Sequence, residues 1–345
     1  SVTPWYSIPA NMETTRADGA LDGSKIKSSK GSSVTGGYKV TKTSVRLRRA
    51  VHDHWQLYLY LVIPMIYIII FKYVPMYGVI IAFKEYRPRA GIWGSPWIGL
   101  SHFRLFLSSY QFKRVLLNTL GISIYSLLAG FPFPIILALS LNEVRSKRFK
   151  KSVQMISYLP HFISVVIFVG IIYRMLALDG IVNMLLVASG AEPIIFMNDP
   201  KLFKSIFVWS GVWQGVGYGS IIYLASLSSV NVDLYDAGRI DGMNLFQKIW
   251  HIDIPAIMPT IIILFILAAA KMMNVGFEKV YLLQNNNPFL MSTSEVISTY
   301  VYKVGLLGGA YSFGTAVGLF TSIINMILLV TINQVARKVS ETSLW

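Results

Sequence analysis

The sequence predicts an all-α polytopic membrane protein with six transmembrane helices, and three observations predict it. Six long apolar stretches recur along the chain, basic residues gather on alternate connections, and a polar interval after the fourth stretch is punctuated like a pair of short helices. Of the 345 residues, 54% are apolar and 14% charged, with a mean hydropathy of +0.55, a balance too oily for the surface of a soluble domain. The formal charge of +15 would fit nucleic acid, but the lysines and arginines lie in a polar N-terminus and in short runs beside apolar segments, as membrane topology requires. No nucleic-acid partner is therefore expected. Cysteine is absent, which excludes a disulfide framework, a thiolate metal site and a cysteine nucleophile.

A bilayer core of about 30 Å needs about 20 apolar residues of helix. The stretches 57–82, 114–141, 153–176, 204–229, 255–277 and 309–335 meet that length. Residues 1–56 form an expected polar, basic cytoplasmic tail without the apolar core of a signal peptide. The region 57–335 is the expected six-helix domain, with a cytoplasmic loop at 231–254, and 336–345 is a short cytoplasmic tail. The direction follows from Lys and Arg: nine lie between Arg16 and Arg49, and five more in Arg145–Lys151, so both segments are inside. Both termini then face the cytoplasm of a multi-pass inner-membrane protein. The outer loop 84–113 runs against this bias with Lys84, Arg87, Arg89, Arg104 and Lys113, and its LSHFRLFL segment with Trp93 and Trp97 suits a short helix at the outer interface. Lys72 and Pro75 inside the long first stretch predict a tilt or kink.

Between the fourth and fifth stretches the chain reads SSVNVDLYDAGRIDGMNLFQKIWHIDIPAIMP. Asp233 is the expected cap of a short helix over about 234–239, with Asp236 adding negative charge in its first turn. Gly242 allows a reversal, and Leu245, Phe246, Ile249, Trp250 and Ile252 give an apolar helical face running toward Pro255. The pattern is a helix–turn–helix on the cytoplasmic side.

This loop resembles the signature of binding-protein-dependent ABC importer permeases: Glu-Ala-Ala, three residues, Gly, nine residues, then Ile-x-Leu-Pro. Here Asp236-Ala237-Gly238, Gly242 and Ile252-Asp253-Ile254-Pro255 stand at the same spacing, with Asp for Glu, Gly for Ala and Ile for Leu as departures. The resemblance runs from about Trp55 to Trp345 and includes FKYVPMYGVIIAFKEY, WGSPWIGL, LPHFIS and TYVYKVGLLGGAYSFGTAVGLF. These segments are similar to sugar-importer permeases that handle oligosaccharides and acidic polysaccharide fragments, the alginate importer among them. The resemblance implies a type I ABC importer permease-like fold and a docking role for Asp236, Ala237, Gly238, Gly242, Ile252 and Pro255. It also implies as partners a second, homologous permease, two ATP-binding subunits carrying ATP and Mg, an extracytoplasmic solute-binding protein and the surrounding lipid. No cofactor is expected on this chain.

The chain has no Gly-x-x-x-x-Gly-Lys-Ser/Thr phosphate loop and no His-Glu-x-x-His, and its five histidines lack metal-ligand spacing. No catalysis and no metal site are expected. His161, beside Pro160, reads as a structural histidine.

For a substrate path, the fourth stretch offers Gly211, Gly215 and Gly219, a stripe that favours close helix packing, together with Gln214, Gly217, Tyr218, Ser220 and Tyr223. In the related permeases, substrate contacts lie about five helical turns before the docking loop, near Gly215 and Tyr218. In the fifth stretch Lys271, Asn274 and Glu278 share an expected helical face, with Lys271 about 24 Å beyond Pro255. The expected path residues are Gln214, Gly215, Tyr218, Tyr223, Lys271 and Asn274. Lys271 and the basic outer loop lean toward acidic sugars. Ala310, Gly314, Gly318 and Ser322 repeat along the sixth stretch, an expected packing stripe. The alternative is an ion-gradient secondary transporter, which would need a coupling-ion site near the midplane.

Overall fold

A computed structural model describes residues 55–340, so the expected tail 1–56 lies outside the described residues except for Trp55 and Gln56. By its internal contacts the chain divides into residues 1–65 and 66–345. Of the first unit, the structure describes only the start of helix α1, Trp55–Ile68. The helical run continues through a π segment, Ile69–Tyr73, and a 3-10 segment, Tyr77–Phe83. Pro75 lies in the short α segment between them, Val74–Met76, so the helix changes type on both sides of it. Proline lacks the N–H that an unbroken α ladder needs, and π turns are one way a helix absorbs such a gap.

After a short helix α2, Ser101–Ser108, the second span is α3, Tyr110–Gly130, followed by α4, Pro132–Glu143. Ser109 caps α3 by accepting from Phe112 N–H, and Pro132 starts α4 where its missing N–H costs nothing.

The third stretch departs from expectation. Residues 153–176 are not one helix: basic α5, Lys147–Tyr158, gives way to a 3-10 turn, Leu159–Phe162, and α6 restarts at Val165–Leu176 under the Ser164 cap. Pro160 supplies the break. At about 1.5 Å per residue α6 is too short to cross the core alone, and α7, Ile181–Ala188, extends the apolar run to Val165–Ala188.

Helix α8, Pro200–Ser228, packs against α3, α4 and α5. Asp199 caps it by accepting from Lys201 N–H at 2.8 Å. Among the described residues five helical stretches are long and apolar enough to cross a membrane: Tyr58–Phe83, Tyr110–Glu143, Val165–Ala188, Leu245–Ala269 and Tyr311–Lys338. At 29 residues α8 is long enough to be the sixth, but its glycines, serines, lysines and Gln214 dilute its apolar content. Neighbouring helices on several sides make that dilution tolerable.

The small-residue stripes pack only in part as the sequence predicts: a Cβ on Gly219 would stand 3.1 Å from the Pro134 ring of α4 and one on Gly211 3.2 Å from Lys279 Nζ. Gly215 has open space where a Cβ would sit, whereas a Cβ on Gly217 would stand 2.1 Å from the Ser157 carbonyl oxygen, making Gly217 the closest approach along α8. In the last span, α13, Tyr311–Ser340, only Gly314 lies backbone to backbone, against Gly305, while Gly318 faces open space. Helix α13 runs into the residues expected to form the C-terminal tail.

Candidate functional site: a helical knob and two adjoining cavities

The loop 231–254 folds into α9, Val232–Ile240, a reversal, and α10, Leu245–Lys248, which runs through a π segment, Ile249–Asp253, into α11, Ile254–Ala269. The cap of α9 is Asn231, accepting from Asp233 N–H at 3.0 Å, which corrects the expectation of Asp233. Asp233 instead lies in the first turn, where its charge opposes the positive end of the helix dipole. Gly242 has φ +70°, the left-handed region in which a side chain is strained by about 1–2 kcal/mol. Asn244 and Gln247 form a reciprocal capping box at α10, with bonds of 2.9 and 2.8 Å. Pro255 does not break the run: it follows the π segment Ile249–Asp253 directly, and the change of helix type there absorbs its missing N–H.

The outer face of this knob is apolar and open. Ile240 is 86% exposed, Phe246 81% and Trp250 69%, and Ala237 and Asp236 are exposed beside them. Asp236 pairs with Arg239 at 3.0 Å, an exposed i,i+3 contact worth about 0–1 kcal/mol, weak enough to be exchanged for another cation. Gly238 faces inward. A Cβ there would stand 3.1 Å from Met243 Sδ and 3.2 Å from Ile252 Cδ1, so the two arms of the knob close on this glycine.

Beneath the knob, Tyr235 Oη donates to Asp253 Oδ1 at 2.7 Å, and Lys248 Nζ bridges to Glu143 at the end of α4. Burial, then the hydrogen bond to Asp253, pushes the Tyr235 phenol well above its ordinary value.

The expected path residues gather around α8, with one exception. A cavity of about 520 Å³ is lined by Tyr223, Lys271 and Asn274 together with Ser123, Ser126 and Gly219. A second, of about 370 Å³, is lined by Gln214 and Gly215 together with Gly211 and Lys279. The two share Ser126, Gly130, Pro134 and Phe207 as walls. Tyr218 lines neither. Its ring stacks on His161 at 3.9 Å with planes 2° apart, on the side of α8 that meets the break in the third span.

The expected helical face of Lys271, Asn274 and Glu278 is also corrected. Helix α11 ends at Ala269, and Lys271 and Asn274 lie in the turns before α12, Phe277–Gln284. These residues reach the cavity because the helix has stopped.

Sequence reasoning missed Lys279. Its Nζ donates to the Phe207 carbonyl at 2.9 Å and lies over the Phe207 and Phe168 rings at 4.7 and 5.4 Å. Among the described residues no carboxylate pairs with it. Glu143 was missed too. Each contact joins residues more than seventy positions apart, so no local pattern signals it. Among the described residues no group of three or more His, Asp or Glu could hold a metal ion.

Residues 130–341 match the family described as binding-protein-dependent transport system inner membrane component. Protein LplB of Bacillus subtilis (strain 168) is 42% identical over 85% of this chain and 92% of its own length. The polygalacturonan/rhamnogalacturonan transport system permease protein YteP of the same organism is 40% identical over 89% of this chain and 96% of its length. A crystal structure of a bacterial ABC transporter involved in the import of the acidic polysaccharide alginate has a chain with TM-score 0.79 and 40% identity, covering 86% of this chain and 99% of that one.

Proposed function

This chain belongs to the binding-protein-dependent inner membrane components, the permease subunits of ATP-driven importers, and we propose that it carries acidic oligosaccharides through the cavities beside α8. Membership excludes the ion-gradient alternative, because the relatives are subunits of ABC transporters. The observation that carries the substrate reading is electrostatic. Each of the two adjoining cavities is lined by a lysine, Lys271 or Lys279, and neither is lined by a carboxylate. Burial lowers the pKa of the Lys279 ammonium to about 7, so Lys271 and the protonated fraction of Lys279 favour anionic ligands over neutral ones, and Gln214, Asn274 and the serines supply hydrogen bonds for sugar hydroxyls. The polysaccharides named for YteP and for the alginate transporter support this choice.

In this reading the chain sits in a bacterial inner membrane with both termini in the cytoplasm. It pairs with a second permease, receives substrate from an extracytoplasmic binding protein, and docks the knob on ATPase subunits that hold ATP and Mg. Asp236 and Ala237 are presented at the surface, Gly242 and Pro255 shape the knob, and the buried Gly238 and Ile252 pack its two arms together rather than touching the partner. The knob supports docking because its open face is apolar while its interior is capped and bonded. Uptake by the complete importer in vesicles, driven by ATP, is measured with unlabelled uronate and neutral oligosaccharides of equal length as competitors. Competition by the uronates alone is the expected result. Equal competition by neutral sugars overturns the substrate assignment.

A further inference from the structure

The underside of the knob holds more polar chemistry than a docking loop needs. Asp253 is 0% exposed, and its second oxygen, Oδ2, is buried without a partner. The first oxygen accepts from the Tyr235 hydroxyl on α9. Lys248, on the returning arm, reaches Glu143, the last residue of α4, and its ammonium lies 4.9 Å from the centre of the Tyr235 ring. Asn142, Tyr235 and Lys248 line one cavity of about 230 Å³ with Gly238 and Ile252, so the inner end of the second span and both arms of the knob meet at a single place.

Buried charge is expensive, and apolar contacts of the same volume would hold a static loop at least as well. Ionic and hydrogen-bonded links differ in being directional: apolar surfaces slide, whereas a bridge between fixed atoms resists shear. The four side chains form two such links, Tyr235 to Asp253 across the knob and Lys248 to Glu143 from the knob to α4.

We propose that Tyr235, Asp253, Lys248 and Glu143 are positioning residues for energy coupling, fastening the knob to the second span as well as to the fifth, so that both inner ends move with it. The fifth span is joined to the knob by the chain itself, through the unbroken run Leu245–Ala269. The second span is 88 residues away from Asn231 in sequence at Glu143 and is tied to the knob here through the lysine bridge. This inference rests on reading the knob as the ATPase docking element.

The absence of cysteine makes a direct test possible. Cysteines placed at the exposed positions Arg145 and Leu234 carry spin labels, and their separation is measured in the complete importer in vesicles. Measurements are made without nucleotide and after trapping with Mg-ATP and vanadate. The fastened knob predicts one narrow distance distribution, unchanged between the two states. In Glu143→Gln and in Lys248→Met the trapped-state distribution becomes at least about twice as broad, and the charge exchange Glu143→Lys with Lys248→Glu restores it. Tyr235→Phe removes one hydroxyl and keeps the ring, so it tests the second link without emptying the site, and it is expected to broaden the same distribution. A changing distance in the unmodified importer overturns the proposal, as does a distribution unaffected by these substitutions. Loss of the ATPase subunits from the Glu143→Gln complex also overturns it, because the bridge would then serve docking rather than transmission. Failure of the docking reading itself is distinguishable, since the unmodified chain would then not retain the ATPase subunits.

Discussion

The knob at 231–254 and the connection 270–310, at the two ends of helix α11, arrange the same residue types in opposite ways. In the knob, helix ends are closed by Asn231 and Asn244, the reversal is made by Gly242, and a tyrosine, an aspartate, a lysine and a glutamate are joined into two links. In the connection, α11 stops at Ala269, Asn285 and Asn286 adopt φ of 42° and 52°, and the chain turns repeatedly. Lysines 271 and 279 there face cavities rather than carboxylates. The difference teaches where each half spends its polar groups. In the knob the polar groups bond to one another, whereas Lys271 and Lys279 face cavities although Glu295 in the same connection pairs with Arg114 and Lys303. Under the proposed function the first arrangement would transmit force and the second would receive a ligand.

Breaking the inner packing is expected to have the largest effect. Gly217→Leu places a side chain on the Ser157 carbonyl, a backbone atom that cannot swing aside, so the yield of assembled importer should fall at least about tenfold on size-exclusion chromatography. Normal assembly would show that α5 and α8 are less closely fixed than their geometry implies.

At the proposed substrate cavity, Lys279→Met keeps a long apolar stem over the two phenyl rings while removing an ammonium whose pKa burial lowers to about 7. Uronate uptake should drop about tenfold with assembly unchanged, and Lys279→Arg should recover part of it. Equal loss in both variants would mean that Lys279 serves packing.

A smaller effect is expected from Gly238→Ala. The atoms that a Cβ would meet are the ends of Met243 and Ile252, which can yield by a few tenths of an ångström, so uptake should stay within about twofold. A larger loss would reveal a knob more rigid than this packing indicates.

The smallest effect concerns pH. Burial raises the Tyr235 phenol, so its contribution to folding is present in full below the ordinary phenol value of about 10 and is lost only as pH rises through the higher folded value. Fluorescence of a variant retaining only Trp250 should therefore be flat from about pH 7 to 10. A transition centred near 10 would mean that the phenol is neither buried nor held by Asp253 as it is placed here.

The comparison also explains what was legible in the sequence. The knob was readable because glycines, prolines and cap residues act locally: the interval from Asp236 through Gly242 to Pro255 fixes two helices and a turn by steric rules alone. The start of the first helix differs: the cap is Asn231 rather than Asp233, the helix begins at Val232 rather than near 234, and Asp233 rather than Asp236 is the acidic residue of its first turn. Span existence was readable from length and apolarity, whereas Pro160 showed its force only when α5 and α6 were seen apart. The cavities were half legible. Gln214, Gly215, Tyr223, Lys271 and Asn274 line them, but Tyr218 turns to His161, because the face that a residue presents on α8 depends on neighbours brought from elsewhere in the chain. Lys279 and Glu143 carry no local signal at all, since their partners are Phe207 and Lys248.

The central claim is that movement of the ATPase subunits enters this permease through the knob, and Gly242 tests it most directly. ATP-driven uptake and ATPase retention are measured together for Gly242→Val, whose β-branched side chain opposes φ +70° while leaving the membrane helices untouched. The account predicts loss of uptake by at least about tenfold, with the permease still assembled and the ATPase subunits released or uncoupled. Uptake equal to that of the unmodified importer would contradict it.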